Sequence, residues 1–200
     1  MKTPTWKTQR FPVSPAVFPS HPMLPNLISI MRLLLVPVII GLIADGDWQL
    51  ALYGFIIAGL SDALDGYIAR AYDLRTELGA HLDPLADKAL LVSIFVTLGV
   101  IGLFPVWLVI LVVTRDILII GGIILAWLLG APMAMRPLAL SKLNTVGQIV
   151  LAASALAIKA FELDMPNALR YGGIVVAALT LGSMLVYLMQ WLRHFPDEAV

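Results

Sequence analysis

Apolar residues dominate six stretches of this chain, each about as long as one helical membrane crossing, which takes about 20 residues. The six stretches run from about Leu24 to Ala44, Trp48 to Arg70, Leu82 to Leu103, Val106 to Leu129, Leu140 to Phe161 and Ala168 to Leu192. They lack the strict apolar and polar alternation of membrane barrel strands. Because open strands cannot satisfy their backbone hydrogen bonds in lipid, the pattern predicts an all-α, polytopic membrane protein with six transmembrane helices.

Composition strengthens that prediction. Hydrophobic residues make up 60% of the 200 residues, charged residues only 13%, and the mean hydropathy is +0.93. A soluble domain is usually about 45–50% apolar and about 25% charged. The net charge of zero gives no basis for binding nucleic acid. The chain has no cysteine, which excludes disulfides, thiolate metal sites and a cysteine nucleophile.

Positive charges near the predicted helix ends fall mainly on one side of the six-span arrangement. That side carries Lys2, Lys7, Arg10, Arg70, Arg75, Arg136, Lys142 and Arg193. The other side is mainly acidic, with Lys159 and Arg170 as its only cations. Since cytoplasmic loops retain Lys and Arg, we expect an integral protein of a bacterial inner membrane with both termini in the cytoplasm.

The sequence divides into an arm, a helical domain and a tail. Residues 1–23 are basic, contain no acidic residue and are rich in proline, which argues against a continuous helix. We interpret them as a cytoplasmic arm on anionic head groups, with a cleaved organelle transit peptide as the alternative. Residues 24–194 form the predicted six-helix catalytic domain, and residues 195–200 form a tail.

Four aspartates lie close together in this apolar chain, at Asp62, Asp65, Asp83 and Asp87. Residues three or four apart share a helix face, so the second and third helices each carry one acidic stripe at their cytoplasmic ends. Adjacent carboxylates repel unless a cation intervenes, and oxygen-only ligands favour Mg²⁺ or Mn²⁺ over zinc. We therefore predict a site for two such ions, and we treat the nearby His81 as structural.

The motif around these aspartates resembles the signature of the CDP-alcohol phosphatidyltransferase family, D-x2-D-G-x2-A-R-x8-G-x3-D-x3-D. The matching positions are Asp62, Asp65, Gly66, Ala69, Arg70, Gly79, Asp83 and Asp87, with every spacing intact. The resemblance implies a homodimeric membrane enzyme. It also implies metal-dependent transfer of a phosphatidyl group from CDP-diacylglycerol to an alcohol, with release of CMP.

The resemblance also implies a role for each motif residue. Asp62, Asp65 and Asp83 would bind the two metal ions. Asp87 would help to hold the second ion and accept the proton of the attacking hydroxyl. The small and basic residues between them would line the site for the CDP moiety, namely Gly66, Ala69 and Arg70.

Three cations within or beside the apolar stretches are candidates for binding the acceptor: Arg32, Arg115 and Lys142. Each could instead form an internal salt bridge or extend to the membrane surface. Arg115 could be compensated by its neighbour Asp116, although adjacent residues point to different helix faces. We favour Arg115 and Lys142 as a site for the phosphate of an anionic acceptor, and leave Arg32 open.

Short segments around Thr114–Asp116, Ser141–Thr145 and Gln148 resemble family members that form cardiolipin. We therefore expect phosphatidylglycerol as the acceptor, with glycerol 3-phosphate as the alternative. A cation-coupled or proton-coupled transporter is the alternative of a different class. Its acidic residues would be expected near the bilayer midplane in repeated halves, whereas this chain has one copy of the motif at the predicted helix ends.

Overall fold

The computed structural model describes the backbone of residues 23–71, 77–128, 139–165 and 167–194. It describes the side chains of residues 30–61, 88–122, 139–165 and 167–190. These parts of the chain form six α-helices and contain no strand, which confirms the predicted all-α class. The helices are α1 (Met23–Asp45), α2 (Trp48–Ala71), α3 (Glu77–Val100), α4 (Val106–Leu128), α5 (Ala139–Ala160) and α6 (Ala168–His194).

The predicted helix boundaries lie within two residues of the observed ones at every end except those of α3. This helix begins at Glu77 rather than Leu82 and ends at Val100 rather than Leu103. Its first five residues include Glu77, Gly79 and His81, so they do not belong to the apolar stretch from which the prediction was made. At its other end, Gly102 adopts a φ of 78°. Residues in an α-helix have a negative φ, so the helix cannot continue through Gly102.

Three helices end in the same hydrogen-bonded turn, in which one residue has a positive φ. The three residues are Gly46 after α1 (84°), Gly102 after α3 (78°) and Glu162 after α5 (50°). In the first turn, the amide of Asp47 donates to the carbonyl of Leu42 over 2.8 Å. Glycine is usual at such helix ends because it has no Cβ to clash. Glu162 is therefore the strained member of the three.

The beginning of α2 lies beside the end of α5. Gln49 Nε2 donates to the carbonyl of Ala160 over 3.2 Å, and Lys159 Nζ lies 6.0 Å from the centre of the Trp48 ring. The short α1–α2, α3–α4 and α5–α6 connections therefore share one end of an up-and-down bundle. The motif aspartates lie on the halves of α2 and α3 that extend toward the opposite end.

The core lies where α1, α2, α3 and α5 meet, and includes Ile39, Phe55, Leu98 and Leu156. In the bundle, α1 packs on α2 and α3, while α5 packs on α2 and α6. The fourth helix packs on α3 and α6. This arrangement brings the middle of α4, the beginning of α5 and the second half of α6 together.

Large apolar side chains cover the outer surface of the described helices. Val100 is 81% exposed, Val106 65% and Ile117 63%. Soluble monomers rarely expose contiguous apolar patches larger than a few hundred Å². This surface therefore supports contact with lipid.

Two helical segments among the described residues are long and apolar enough to cross a membrane. They are Ala139–Ala160, with 22 residues, and Ala168–Gln190, with 23. Trp48–Ser61 and Lys88–Val100 are apolar but shorter. The predicted set of six membrane crossings thus stays a prediction, with two crossings supported by length and composition.

Candidate functional site

The structure places the two acidic stripes on separate helices. Asp62 and Asp65 lie on α2, and Asp83 and Asp87 lie in the second and third turns of α3. The side chains of residues 62–87 lie outside those that the structure describes. The predicted metal ligands and the predicted CDP contacts of Gly66, Ala69 and Arg70 therefore stay predictions. Among the side chains that are described, no three acidic, histidine or cysteine residues gather into a metal-binding group.

Arg115 is the centre of a polar cluster near the middle of α3 and α4. Its side chain is only 1% exposed, although it lies on an otherwise apolar helix. One nitrogen, Nη1, donates to Asp116 Oδ1 over 2.6 Å. The other, Nη2, donates to the hydroxyl of Ser141 on α5 and, over 3.1 Å, to the hydroxyl of Ser183 on α6. One guanidinium group therefore joins α4, α5 and α6.

Lys88 brings a second cation and a fourth helix to this cluster. Its Nζ donates to Asp116 Oδ1 over 2.7 Å, so the same carboxylate oxygen accepts from both Lys88 and Arg115. Two cations facing one carboxylate leave the three side chains with a net positive charge. The second oxygen of Asp116, Oδ2, has no hydrogen-bond partner within the described residues. Because Lys88 directly follows Asp87 on α3, this positive cluster adjoins the predicted metal site.

The candidates for acceptor binding differ in their surroundings. Arg115 forms the salt bridge with Asp116 that the sequence left open as an alternative. Lys142 follows Ser141 on α5, but its side chain is exposed, and no described bond joins it to Arg115. Arg32 is buried on α1, at 3% exposure. A phosphate-binding role for Arg115 and Lys142 stays a prediction.

A second polar layer lies one turn further along α5. Asn144 and Gln148 are fully buried. Thr180 on α6 lies within hydrogen-bond distance of Asn144 Oδ1, at 2.9 Å, and of the carbonyl of Val176, at 2.7 Å. Within the described part of the chain, Asn144 Nδ2 and both polar atoms of the Gln148 amide have no hydrogen-bond partner.

An apolar groove of about 640 Å³ runs between α4 and α6 and reaches Arg115. Most of its other lining residues are aliphatic, and they include Ile117, Leu118, Leu181, Leu185 and Leu188. The groove therefore places a guanidinium group beside a channel for hydrocarbon. This combination suits a ligand that carries both an anionic group and acyl chains.

Residues 22–190 match the sequence model of the CDP-alcohol phosphatidyltransferase family. The chain belongs to this family. Membership confirms the family predicted from the aspartate motif and places the chain among enzymes. The match begins just before α1 and extends into α6, so it includes both acidic stripes and the cluster around Arg115.

Individual relatives include enzymes with two different activities in their names. The chain is 34% identical over 165 residues to cardiolipin synthase (CMP-forming) of Homo sapiens, covering 74% of this chain and 55% of the relative. It is 34% identical over 183 residues to the chloroplastic CDP-diacylglycerol–glycerol-3-phosphate 3-phosphatidyltransferase 1 of Oryza sativa subsp. japonica, covering 82% and 55%. The chain thus spans about half the length of these curated relatives.

Sequence reasoning did not identify Lys88, Ser141 and Ser183 as partners in the cluster. The two serines are separated from Arg115 by 26 and 68 positions along the chain, so only the packing of α5 and α6 on α4 brings them together. Lys88 gave a usable signal, because it is a cation that directly follows a motif aspartate and begins an apolar stretch.

Proposed function

We propose that this chain is a CMP-forming cardiolipin synthase that transfers a phosphatidyl group from CDP-diacylglycerol to phosphatidylglycerol. The observation that carries the proposal is the positive cluster of Lys88, Arg115 and Asp116, which lies beside an apolar groove and includes the residue that follows Asp87 on α3. Phosphatidylglycerol has one negatively charged phosphodiester and two acyl chains, which complement the cluster and the groove. The name of the human relative supports the same acceptor.

The proposed reaction is a displacement at phosphorus. A hydroxyl oxygen of the acceptor's glycerol bonds to the phosphorus that carries the diacylglycerol, the bond from that phosphorus to the CMP oxygen breaks, and CMP leaves. The hydroxyl proton passes to a carboxylate, which we assign to Asp87. A carboxylate base has to lie within hydrogen-bond reach of the nucleophile, and the position of Asp87 directly before Lys88 on α3 supports this assignment.

The chemistry of the donor set fits a hard divalent cation, since the motif supplies carboxylates and no thiolate or second histidine. Asp62, Asp65, Asp83 and Asp87 would hold two Mg²⁺ or Mn²⁺ ions. When bound, such ions neutralise charge on the diphosphate and orient it for in-line displacement. Arg70, Gly66 and Ala69 would line the CDP moiety, where the two small residues leave room for the nucleotide.

We place all six helices across the membrane, with the motif end and both termini on the cytoplasmic side of a bacterial inner membrane. The bias of Lys and Arg toward that side and the apolar outer surface support this placement. In this arrangement, residues 1–23 form a basic arm at the membrane surface and residues 195–200 a short tail. Family resemblance supports a homodimer.

A second candidate is a phosphatidylglycerophosphate synthase that uses glycerol 3-phosphate. The name of the rice relative favours it, and the net positive charge around Arg115 would bind either phosphate. Glycerol 3-phosphate has no acyl chain, however, so it would leave the apolar groove beside Arg115 without a role.

One assay tests the proposal and separates the two candidates. The purified chain in lipid nanodiscs is supplied with CDP-diacylglycerol, Mg²⁺ or Mn²⁺, and either phosphatidylglycerol or glycerol 3-phosphate, and both CMP and the lipid product are measured. We expect CMP and cardiolipin with phosphatidylglycerol. Product with glycerol 3-phosphate alone would replace the proposed acceptor, and no CMP with either alcohol would refute the transferase.

A further inference from the structure

Gln148 carries a buried polar group that the fold itself does not use. The side chain is fully buried on α5, and neither its amide nitrogen nor its amide oxygen meets a hydrogen-bond partner in the part of the chain that the structure describes. Folded proteins satisfy most buried polar side chains, because leaving one unpaired carries a desolvation cost. The amide therefore needs a partner beyond the described side chains, and a ligand or water can supply it.

Helix geometry places Gln148 on the side of α5 that faces α2. Lys159 on α5 lies over the ring of Trp48 on α2, at 6.0 Å. Gln148 lies 11 residues before Lys159, which at 3.6 residues per turn is close to three whole turns. The two residues therefore share the face of α5 on which Lys159 meets α2, while Asn144, one turn before Gln148, meets Thr180 on α6.

The antiparallel packing of α2 and α5 also sets the height of Gln148 in the bundle. The hydrogen bond from Gln49 to the carbonyl of Ala160 aligns the beginning of α2 with the end of α5. Asp62 lies 13 residues beyond Gln49, and Gln148 lies 12 residues before Ala160. At 1.5 Å per residue, the backbones at Asp62 and Gln148 lie within about one helical turn of the same height.

Asn144 extends this polar surface by one turn of α5, in the direction of Ser141. Its amide oxygen lies 2.9 Å from the hydroxyl of Thr180, and its Nδ2 has no described partner. Asn144 and Gln148 together offer unpaired donors and an unpaired acceptor. They lie between the height of the first motif aspartate and the hydroxyl of Ser141 that bonds to Arg115.

We infer that Gln148, assisted by Asn144, binds the hydroxyl groups of the acceptor's head group beside the reacting diphosphate. The inference rests on the proposed function and names the feature of the acceptor that this site recognises. A hydroxyl both donates and accepts a hydrogen bond, and a primary amide supplies both complements. The cluster around Arg115 would bind the phosphate of the same head group, and its α5 member, Ser141, lies about two helical turns from Gln148.

The test compares two lipids that differ only in hydroxyl groups. Phosphatidylglycerol and phosphatidylmethanol have the same phosphodiester charge, but the second replaces glycerol with a methyl group. Binding of each lipid to the full chain in phosphatidylcholine nanodiscs is measured without CDP-diacylglycerol. The wild-type chain is expected to prefer phosphatidylglycerol by about tenfold, as expected for one or two net hydrogen bonds. Equal affinities in the wild-type chain would refute the inference.

Gln148→Leu is expected to reduce the preference to about one, by weakening phosphatidylglycerol and leaving phosphatidylmethanol unchanged. Gln148→Met keeps the length of the side chain and replaces the leucine variant if that variant does not fold. Ser154→Ala is the matched control, because this hydroxyl lies further along α5 and, among the described residues, bonds to the carbonyl of Val150 in its own helix. The control is expected to retain the wild-type preference.

Two other results would overturn the inference. An undiminished preference in Gln148→Leu would show that the amide does not recognise hydroxyls, and an equal loss for both lipids would indicate a general structural role. A structural role also predicts lower thermal stability, whereas removal of an unpaired buried amide is expected to leave the unfolding temperature unchanged or higher.

The same comparison with glycerol 3-phosphate and methyl phosphate identifies the source of the head group. A preference confined to the lipids supports a phospholipid acceptor, and a preference confined to the soluble pair assigns the site to free glycerol 3-phosphate. Because binding requires no turnover, a chain that prefers hydroxyls but releases no CMP would refute the transferase and keep the hydroxyl site. Turnover combined with an unaltered preference in Gln148→Leu would keep the transferase and refute the hydroxyl site.

Discussion

Lys88 on α3 and Asp116 on α4 form an ion pair with an N–O distance of 2.7 Å, and this pair connects the helix of the second acidic stripe to the buried Arg115. The carboxylate is almost completely buried, whereas the lysine side chain is 29% exposed. The lysine can therefore exchange part of its interaction with Asp116 for an interaction with an incoming anion. The pair thus provides a link between acceptor binding and the helix that carries Asp87.

Lys88→Met tests this link. Asp116 keeps Arg115 as its partner in the variant, so we expect a folded protein whose cluster has lost its net positive charge. Loss of one charge-assisted hydrogen bond to the acceptor phosphate should raise the KM for phosphatidylglycerol about tenfold or more. The KM for CDP-diacylglycerol should change much less. Lys159→Met, at the opposite end of the bundle, is the control, and an equal rise in both KM values would contradict the assignment.

Arg115→Lys should destabilise the bundle although it keeps the charge. A lysine ammonium is a single point, so it cannot reproduce the planar fork that reaches Asp116, Ser141 and Ser183 together. We expect a loss of about 2–4 kcal/mol, since each hydrogen bond to a charged group contributes about 1.5–3 kcal/mol. The measurement is the free energy of unfolding of the variant and the wild type in detergent. Ser183→Ala removes one of these bonds and should cost less, so a larger effect from the serine variant would count against this account.

Asp87→Asn should abolish turnover and leave the fold intact. The amide keeps the shape of the carboxylate but cannot accept the acceptor's proton, and general-base catalysis typically contributes about 10²–10⁴-fold. The fall in kcat should be at least that large, with unchanged helical content by circular dichroism. Asp47→Asn, in the turn at the other end of the bundle, should behave as the wild type. Appreciable turnover by Asp87→Asn would remove its assigned role.

Chelation of divalent ions should stop CMP release, because the motif carboxylates would lose the ions that neutralise the diphosphate. Added Mg²⁺ or Mn²⁺ should restore activity, as oxygen-only sites prefer these ions. The measurement is the rate of CMP release after treatment with EDTA and after readdition of each metal. Full activity in excess chelator would argue against the metal-dependent mechanism.

Glu162→Gly should stabilise the protein. Glu162 has a φ of 50° in an exposed turn, where the equivalent positions after α1 and α3 are glycine. A left-handed conformation costs a residue with a Cβ roughly 1–2 kcal/mol, which glycine avoids. The greater freedom of glycine in the unfolded chain offsets about 0.4–1 kcal/mol of that gain. A net gain of up to about 1.5 kcal/mol should appear in thermal unfolding. The opposite change, Gly46→Ala, should destabilise, and a lower midpoint for Glu162→Gly would contradict the explanation.

The sequence predicted the helices and the family well because both depend on local information. An apolar stretch of membrane length becomes a helix whatever its neighbours are, and the spacing of Asp62 to Asp87 identifies the family without knowledge of packing. The predicted beginning of α3 was wrong by five residues, because the helix already starts at the charged residue Glu77, before the apolar stretch. The apolar stretches contain no information about which helices touch.

The cluster at Arg115 shows the same limit on a smaller scale. Sequence reasoning identified this arginine as an unusual cation within an apolar helix and weighed Asp116 as its partner. It could not identify Ser183, because a serine on α6 becomes a partner only when α6 packs on α4. The unpaired amide of Gln148 was equally invisible, since burial without a partner is a property of the packed bundle.

The tight turns at Gly46, Gly102 and Glu162 make the chain a set of three helical hairpins that are pinned at one end. A helix as long as α2, with 24 residues, extends about 36 Å at 1.5 Å per residue. A tilt of about 2° at the pinned end therefore moves its far tip by about 1 Å. Small changes in the angle between the helices of a hairpin can thus change the separation between the acidic stripes with almost no repacking near the turns. A substitution in a turn remote from the chemistry becomes a means of tuning it.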